Sequence, residues 1–195
     1  SYSPNGIIGE KDACGVGFVA NVEGIESNWI LKQSLKGLNC MEHRGGCGGD
    51  SDSGDGAGIL CSIPWGYLEE KINLKNTQEF NRGLGMVFMP NKKEKIEICK
   101  SICDEEAEKL KVNKTSWRTV PVNNEILGPL AKANAPFICQ WILYIDKKDH
   151  QDVERLLFQL RKRIEKKIRE TFKNDVGDCE FYFASLSSQT VVYKG

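Results

Sequence analysis

The chain has 195 residues, 40% of them apolar and 28% charged, which is typical of an ordinary globular protein. Its 27 basic side chains (Lys and Arg) balance 27 acidic ones, and this zero net charge argues against a general nucleic-acid binder, which carries a clustered basic excess. The longest apolar run, residues 136–145, is half the ~20 residues that a membrane helix needs, and no secretory signal is visible. We therefore expect no nucleic-acid partner, no membrane anchor and no secretion.

Taken in chain order, hydrophobic periodicity and turn signals predict these elements: a strand over 14–22; a helix capped by Ser27 with Leu31, Leu35, Leu38 and Met41 on one face; a glycine-rich loop over 43–58; strands over 59–63 and 83–89; a helix over 92–111; strands over 116–122 and 136–145; a helix over 152–170; and strands over 180–186 and 190–195, joined as a hairpin through 187–189. Strands outnumber helices, and several connections are too short for helical crossovers. This predicts an α+β fold of mostly antiparallel sheets packed against two or three helices. We expect one domain, or part of one.

The cysteines are the first candidates for chemistry. There are eight, spread over a chain longer than disulfide-stapled miniproteins, so reduced thiols in a reducing compartment are favoured over disulfides. Cys99 and Cys103 are spaced i, i+4 and could share one helix face as zinc ligands. They lie on the apolar stripe of their helix, however, and no second pair has a zinc-site spacing. Core packing is therefore favoured, and we expect no metal.

The glycine-rich loop contains "DSDSGDGAGILC" at residues 50–61, which superficially suggests a calcium loop. An EF-hand needs glycine at position 6 and glutamate at position 12, where this loop has Asp55 and Cys61. The Gly-Lys-Ser/Thr ending of a phosphate-binding loop is also missing. His150 is an isolated residue at the start of a helix and carries no functional signal.

Cys14 remains, in "EKDACGVGFVAN" at residues 10–21. Composition alone favours a buried thiol at this position. Its context reverses that preference: "DACGVGFVAN", a helix that ends in "MEHRGG", and then "SGDGAGIL" closely resemble the start of the amidotransferase region of glutamate synthases. The segments "WRTVPVNNEILGPLAKANAPFICQ", "RLLFQLRKRIEKKI" and "FYFASLSSQTVVYKG" extend the resemblance along nearly the whole chain. More broadly, the pattern is that of class II, or N-terminal-nucleophile, glutamine amidotransferases.

The resemblance implies a layered αββα N-terminal-nucleophile hydrolase fold, with L-glutamine as substrate and Cys14 as nucleophile. In that family the cysteine is the first residue of the mature enzyme. Residues 1–13 would then be a leader, cut at the Ala13–Cys14 bond, and residues 14–195 the first part of the amidotransferase domain. An α-amino group has a pKa of ~7.7–8.0, whereas an amide nitrogen has no comparable basicity. The cut would therefore create nucleophile and base together.

Arg44 of "HRGG" matches the family's arginine beside the nucleophile and is expected to order that end of the pocket. Gly45 and Asp55 are assigned to the substrate pocket, Asp55 being as good a structural candidate as a functional one. The family's carboxylate-binding arginine segment, its oxyanion-stabilising Asn-Gly pair and its amine-binding aspartate do not occur before Gly195. We expect the chain as given to lack useful glutaminase activity, because one lost oxyanion donor alone costs ~10²–10³ in rate.

The resemblance also implies features outside this chain. The complete enzymes carry FMN and an iron–sulfur cluster, pass ammonia to a 2-oxoglutarate site on other domains of the same polypeptide, and in some cases use an electron-donating subunit. The donor itself, NADH, NADPH or ferredoxin, stays open. So do three alternatives: another class II amidotransferase, such as a phosphoribosyl or hexosamine-phosphate enzyme; a catalytically dead regulatory or assembly domain on the same fold; and a thiol or zinc module. A cytoplasmic or plastid-like location is expected.

Overall fold

The computed structural model describes residues 15–41, 53–54, 56–72, 79–146, 148–174 and 180–195. These residues fall into two compact units. The first contains the described parts of residues 1–59 together with 125–133 and 195, and the second contains those of 60–124 and 134–194.

The described residues form five α-helices and six β-strands. The helices are α1 (Asn28–Cys40), α2 (Trp65–Lys71), α3 (Lys93–Lys109), α4 (Pro129–Ala133) and α5 (His150–Thr171). The strands are β1 (Gly58–Ser62), β2 (Phe80–Met89), β3 (Lys114–Thr119), β4 (Phe137–Asp146), β5 (Tyr182–Ser187) and β6 (Thr190–Lys194).

In the first unit, α1 begins where the sequence predicts. The Ser27 hydroxyl accepts a hydrogen bond from the Ile30 amide at 3.4 Å, which satisfies one of the free N–H groups in the first turn. None of the residues of α1 is buried; of the predicted apolar stripe, Leu35 is 44% exposed and Met41 lies just after the last residue of the helix. The short helix α4 also belongs to this unit.

The second unit is built on a four-stranded antiparallel sheet with the order β3-β4-β2-β5. Its two central strands, β2 and β4, are buried along most of their length, from Gly83 to Met89 in β2 and from Cys139 to Ile145 in β4. Because both faces of these strands are covered, they read as nearly continuous apolar runs rather than as alternating patterns. Val87 is paired with Cys139 on one side and with Phe183 on the other.

The two faces of this sheet carry separate hydrophobic clusters. Alternate residues of β2, Val87 and Met89, pack with residues of α3 and α5. The intervening residues Met86 and Phe88 pack with residues of α2 and with Val191 of β6. Strand β6 pairs with β1 in a second, two-stranded sheet. The predicted α+β class with antiparallel sheets is confirmed.

Two predictions about strands are wrong. Residues 15–20 of the predicted strand 14–22 form no strand, because a strand needs a partner for its amide groups and none pairs with them in the described chain. Val16 and Phe18, which that strand would place together on one face, are each 94% exposed. The hairpin through 187–189 is also wrong. Strands β5 and β6 lie in different sheets, and residues 188–189 carry the chain from one to the other.

The prediction that Cys99 and Cys103 belong to the core is confirmed, since both are buried between α3 and the sheet. Cysteines 40, 61, 99, 103 and 139 form no disulfide. Among the described helices, none is long and apolar enough to cross a membrane.

Candidate active site

The residues predicted to carry the chemistry, namely Cys14, Arg44, Gly45 and Asp55, together with Ala13 at the predicted cleavage point, lie outside the described residues. Their predicted roles are therefore neither confirmed nor contradicted by the structure. The structure does describe the residues next to them in the sequence and the contacts that these make.

Gly15, which follows Cys14, packs against Met41 at the end of α1. A Cβ atom added to Gly15 would lie 3.0 Å from Met41 Sδ, which is tighter than about nine in ten real contacts of a Cβ atom. Met41 stands three positions before Arg44 in "MEHRGG". The backbone after the predicted nucleophile thus lies next to the helix end that leads into the predicted arginine motif, and a side chain larger than glycine would require Met41 to shift.

The "SGDGAG" loop is fixed at its C-terminal end by backbone pairing. The Ala57 amide donates to Gly195 O at 3.2 Å, and the Gly195 amide donates to Ala57 O at 3.0 Å. Gly56 has φ of +82°, which disfavours side chains, and a Cβ there would overlap Gly195 O. Both the conformation and the space around Gly56 therefore require glycine, directly after Asp55.

The same loop is fixed at its N-terminal end by a side chain. Ser53 is buried, and its hydroxyl accepts a hydrogen bond from the Ala131 amide of α4 at 3.1 Å. The sequence analysis assigned no role to Ser53. The sequence gives little indication of this contact, because serine is common in glycine-rich loops and Ala131 lies about eighty positions away in the chain.

The described cysteines of the second unit do not resemble nucleophiles. Burial raises the pKa of Cys139 to about 11 and raises the pKa of Cys61. Burial, followed by the nearby Cys99 and Asp104, raises the pKa of Cys103 well above its ordinary value. A reactive cysteine needs a lowered pKa, because the thiolate is the nucleophile. These three thiols therefore stay protonated at neutral pH and serve in packing.

A buried polar chain crosses the second unit and was not anticipated as a group. Gln140, in the middle of β4, is 1% exposed. Its amide oxygen accepts from Arg118 Nη1 at 2.7 Å, and its amide nitrogen donates to Tyr193 Oη at 3.2 Å. Burial raises the pKa of Tyr193, so its phenol remains neutral and can accept this hydrogen bond. The sequence signal is Gln140 itself, a polar residue that interrupts an apolar strand.

Comparison with known proteins decides the family. The family model of class II glutamine amidotransferases matches residues 14–195. The chain belongs to the class II glutamine amidotransferases. The resemblance and the N-terminal-nucleophile hydrolase fold class inferred from the sequence motifs are thereby confirmed.

Curated relatives of this amidotransferase chain are ferredoxin-dependent glutamate synthases. It is 41% identical over 193 residues to ferredoxin-dependent glutamate synthase 1, chloroplastic/mitochondrial, of Arabidopsis thaliana. It is 42% identical over 195 residues to the chloroplastic enzyme of Oryza sativa subsp. japonica, and 40% identical over 193 residues to glutamate synthase 2 of Synechocystis sp.. These alignments cover 97–98% of the chain but only 12% of each relative.

Proposed function

We propose that this chain is the glutamine-hydrolysing part of a glutamate synthase, with Cys14 as its nucleophile. The observation that carries the proposal is the close contact of Gly15 with Met41, because it joins the backbone beside Cys14 to the helix end beside Arg44. The family match, which spans 14–195, and the identity to glutamate synthases support the same assignment.

The proposed reaction begins when the Cys14 thiol passes its proton to the α-amino group of the same residue. The sulfur attacks the carboxamide carbon of glutamine, and the carbon–nitrogen bond breaks. The nitrogen leaves as ammonia after it takes the proton back from the amine. Water then adds to the glutamyl thioester, the carbon–sulfur bond breaks, and glutamate and the thiol are released.

This chemistry requires Cys14 to be the first residue, so residues 1–13 are proposed to be a leader that is removed. With the leader in place, the nitrogen of Cys14 is an amide and cannot act as a base. Cleavage of the Ala13–Cys14 bond would switch the enzyme on. Residues 14–195 would then form the N-terminal part of the mature amidotransferase domain.

The neighbouring motifs are proposed to shape the pocket. Arg44 orders the end next to the nucleophile, and Gly45 allows the backbone to approach the substrate closely. Asp55 forms part of the wall, on a loop that is tied down by Ser53 at one end and by Ala57 at the other. A loop held at both ends loses little entropy when substrate binds, which favours a preformed pocket.

In the intact protein the ammonia is proposed to be used on other domains of the same polypeptide to aminate 2-oxoglutarate. FMN and an iron–sulfur cluster, when bound, would supply the electrons. No group of three or more metal-ligating side chains occurs among the described residues, so they do not fit an iron–sulfur cluster. We place these cofactors elsewhere in the intact protein.

The relatives named above point to the electron donor and the compartment. Because they are named ferredoxin-dependent, ferredoxin is the first donor to test, with NADH and NADPH as the alternatives. The plant relatives are named chloroplastic or mitochondrial. We therefore propose a plastid-like organelle as the location, with the cytoplasm as the alternative.

The decisive experiment is to purify the intact protein from its own cells and identify its N-terminal peptide by mass spectrometry. We expect a chain that begins at Cys14. A chain that retains the preceding residues would leave the thiol without its base and would overturn the catalytic assignment, although the fold would stand.

Labelling with a glutamine-like electrophile provides a second test on the same preparation. We expect one modified cysteine, Cys14, and no label in a Cys14→Ala variant. A Cys40→Ala variant is the matched control, because it removes an exposed thiol at the end of α1. Labelling of Cys14 in this variant should be unchanged. Absence of a single preferred site in the processed protein would favour a catalytically dead domain.

A further inference from the structure

A cavity of about 340 Å³ in the second unit indicates a second site. Its volume lies at the small end of the range for small-molecule pockets. Four separate segments of the chain supply the described residues that line it. The polar and aromatic ones are Trp65, Phe80, Asn81, Arg82, Lys148, His150 and Ser188.

The formally charged side chains that line this cavity, Arg82 and Lys148, are both basic, and no acidic residue is among the described residues that line it. His150, which also lines it, is the first residue of the 22-residue helix α5, whose first turn is capped by the carboxylate of Asp149. Arg82 and Lys148 favour a negatively charged occupant.

The nearby carboxylates are already engaged as acceptors. Glu69 forms an ion pair with Arg82, which fixes the guanidinium 4.6 Å from the centre of the Trp65 ring. Glu154 accepts hydrogen bonds from the amide and the hydroxyl of Ser188, both at 2.6 Å. Glu69 and Glu154 thus hold the lining in place and do not fill the cavity.

The rim is also held in position by polar contacts. Asn81 Nδ2 donates to Lys148 O at 2.9 Å, which joins the start of β2 to the segment before α5. His150 Nε2 lies 3.3 Å from Ser188 Oγ. Arg82 has five N–H groups and uses one on Glu69, and the ammonium of Lys148 has three. Donors therefore remain for a ligand on a lining that is already ordered.

We propose that this cavity binds a small anion that carries a carboxylate or phosphate group, with Arg82 and Lys148 as its charged partners and the His150 ring as a polar contact. The ring of Trp65 and the side chain of Val153 would contact the apolar part of the ligand. None of the residues that line this cavity is among those proposed to carry the glutaminase chemistry.

The test is isothermal titration calorimetry on the intact protein at low ionic strength, with inorganic phosphate and succinate as separate probes. The variants are Lys148→Gln and His150→Gln, which remove a cationic or titratable group from exposed positions while they keep polar side chains. Lys167→Gln is the matched control, because it removes the same charge from an exposed position farther along α5.

We expect saturable binding of at least one probe, weakened about threefold by each single variant and about tenfold by the double variant, because each variant removes one exposed polar contact of modest strength. Lys167→Gln should leave binding unchanged, and salt should weaken it. Preference for succinate would identify a carboxylate ligand, and preference for phosphate would identify a phosphate ligand. Binding that the cavity variants and the control weaken equally, or no binding up to about 10 mM of either probe, would overturn the proposal.

Discussion

Replacement of Asp104 by alanine should be among the most destabilising single changes in the second unit. Asp104 projects from α3 toward the sheet and accepts three hydrogen bonds. These come from Thr115 Oγ1 at 2.7 Å, Trp117 Nε1 at 3.0 Å and Trp141 Nε1 at 3.1 Å. The two indole rings stack with their centres 5.4 Å apart, so one carboxylate fixes both rings of the pair.

The size of the stability loss depends on which of the three donors can form a hydrogen bond with water once the carboxylate is removed. Trp141 is fully buried, and its N–H group would lose its partner at a cost of about 1–3 kcal/mol. Thr115 and Trp117 are only partly buried and can turn to solvent, so each should cost about 0.5–1 kcal/mol. We expect Asp104→Ala to lower the free energy of unfolding by about 2–5 kcal/mol, a large share of the ~5–15 kcal/mol of a typical domain.

Urea unfolding of the 195-residue chain, followed by tryptophan fluorescence and far-UV circular dichroism, measures this change. Asp104→Asn keeps one acceptor oxygen for Trp141 and should cost about half as much. Asp152→Ala is the matched control: its side chain is 57% exposed and its pair with Arg155 is a surface contact, so the loss should stay below about 0.5 kcal/mol. A loss below about 0.5 kcal/mol for Asp104→Ala would refute the reasoning.

Three further predictions concern other parts of the structure. Gly83→Ala should lower the free energy of unfolding, measured with urea, by about 1–3 kcal/mol, because the new Cβ would lie 3.0 Å from a leucine methyl group of α5. Gly17→Ala is the control: a Cβ there would have nothing within 4 Å, so the change should stay below about 0.5 kcal/mol. Equal effects of the two substitutions would contradict the reasoning. Burial raises the pKa of the Cys139 thiol to about 11, above the ordinary thiol value of ~8.5, so the stability contributed by the protonated thiol is complete below pH ~8.5 and is lost as the pH rises through 11. The urea concentration at the unfolding midpoint should therefore decrease as the pH is raised from ~8.5 to about 11, and the decrease should be less steep in Cys139→Ala. A slope that is the same in the variant would count against this prediction. Glu154→Gln should speed amide hydrogen exchange at Ser188, whose amide donates to the carboxylate at 2.6 Å, and unchanged exchange would show that this contact is not formed in solution.

Local signals predicted most elements of the fold. The Ser27 cap and the apolar stripes of α1, α3 and α5 place these helices within about two residues of their observed ends, as boundaries usually allow. The buried runs of β2 and β4 were recognised as strands because they are short, apolar and rich in β-branched and aromatic residues. The seven-residue helix α2 was missed, since its sequence "WGYLEEK" is too short for helical periodicity to stand out.

Pairing between distant strands could not be predicted. The alternation around Phe18 is typical of a strand, but a sequence does not say whether a partner is present. The turn at 188–189 has the length and composition of a hairpin loop, yet the side chain of Ser185 in β5 accepts a hydrogen bond from the Val192 amide, and β6 pairs with β1 instead. The strands β5 and β6 were therefore predicted correctly, whereas their pairing with each other and the strand over 14–22 were not.

The two candidate sites differ in what the sequence reveals. Cys14, Arg44 and Asp55 lie in motifs whose residues are close together in the sequence, so they could be proposed from the sequence alone, and they remain predictions. The anion cavity combines residues such as Trp65 and His150 that are far apart in the chain, and only the folded sheet brings their segments together. A lone histidine at a helix start gave no signal of it.

The order of strands in the main sheet has a consequence for synthesis of the protein on the ribosome. Strand β2 is buried between β4 and β5, and both of these follow it in the chain. Roughly fifty residues separate β2 from β4, which at about 5–20 residues per second leaves β2 unpaired for about 3–10 seconds. During that time seven consecutive core residues, from Gly83 to Met89, have no neighbouring strand. Until β4 emerges, the nascent chain therefore exposes an unpaired apolar strand that favours aggregation.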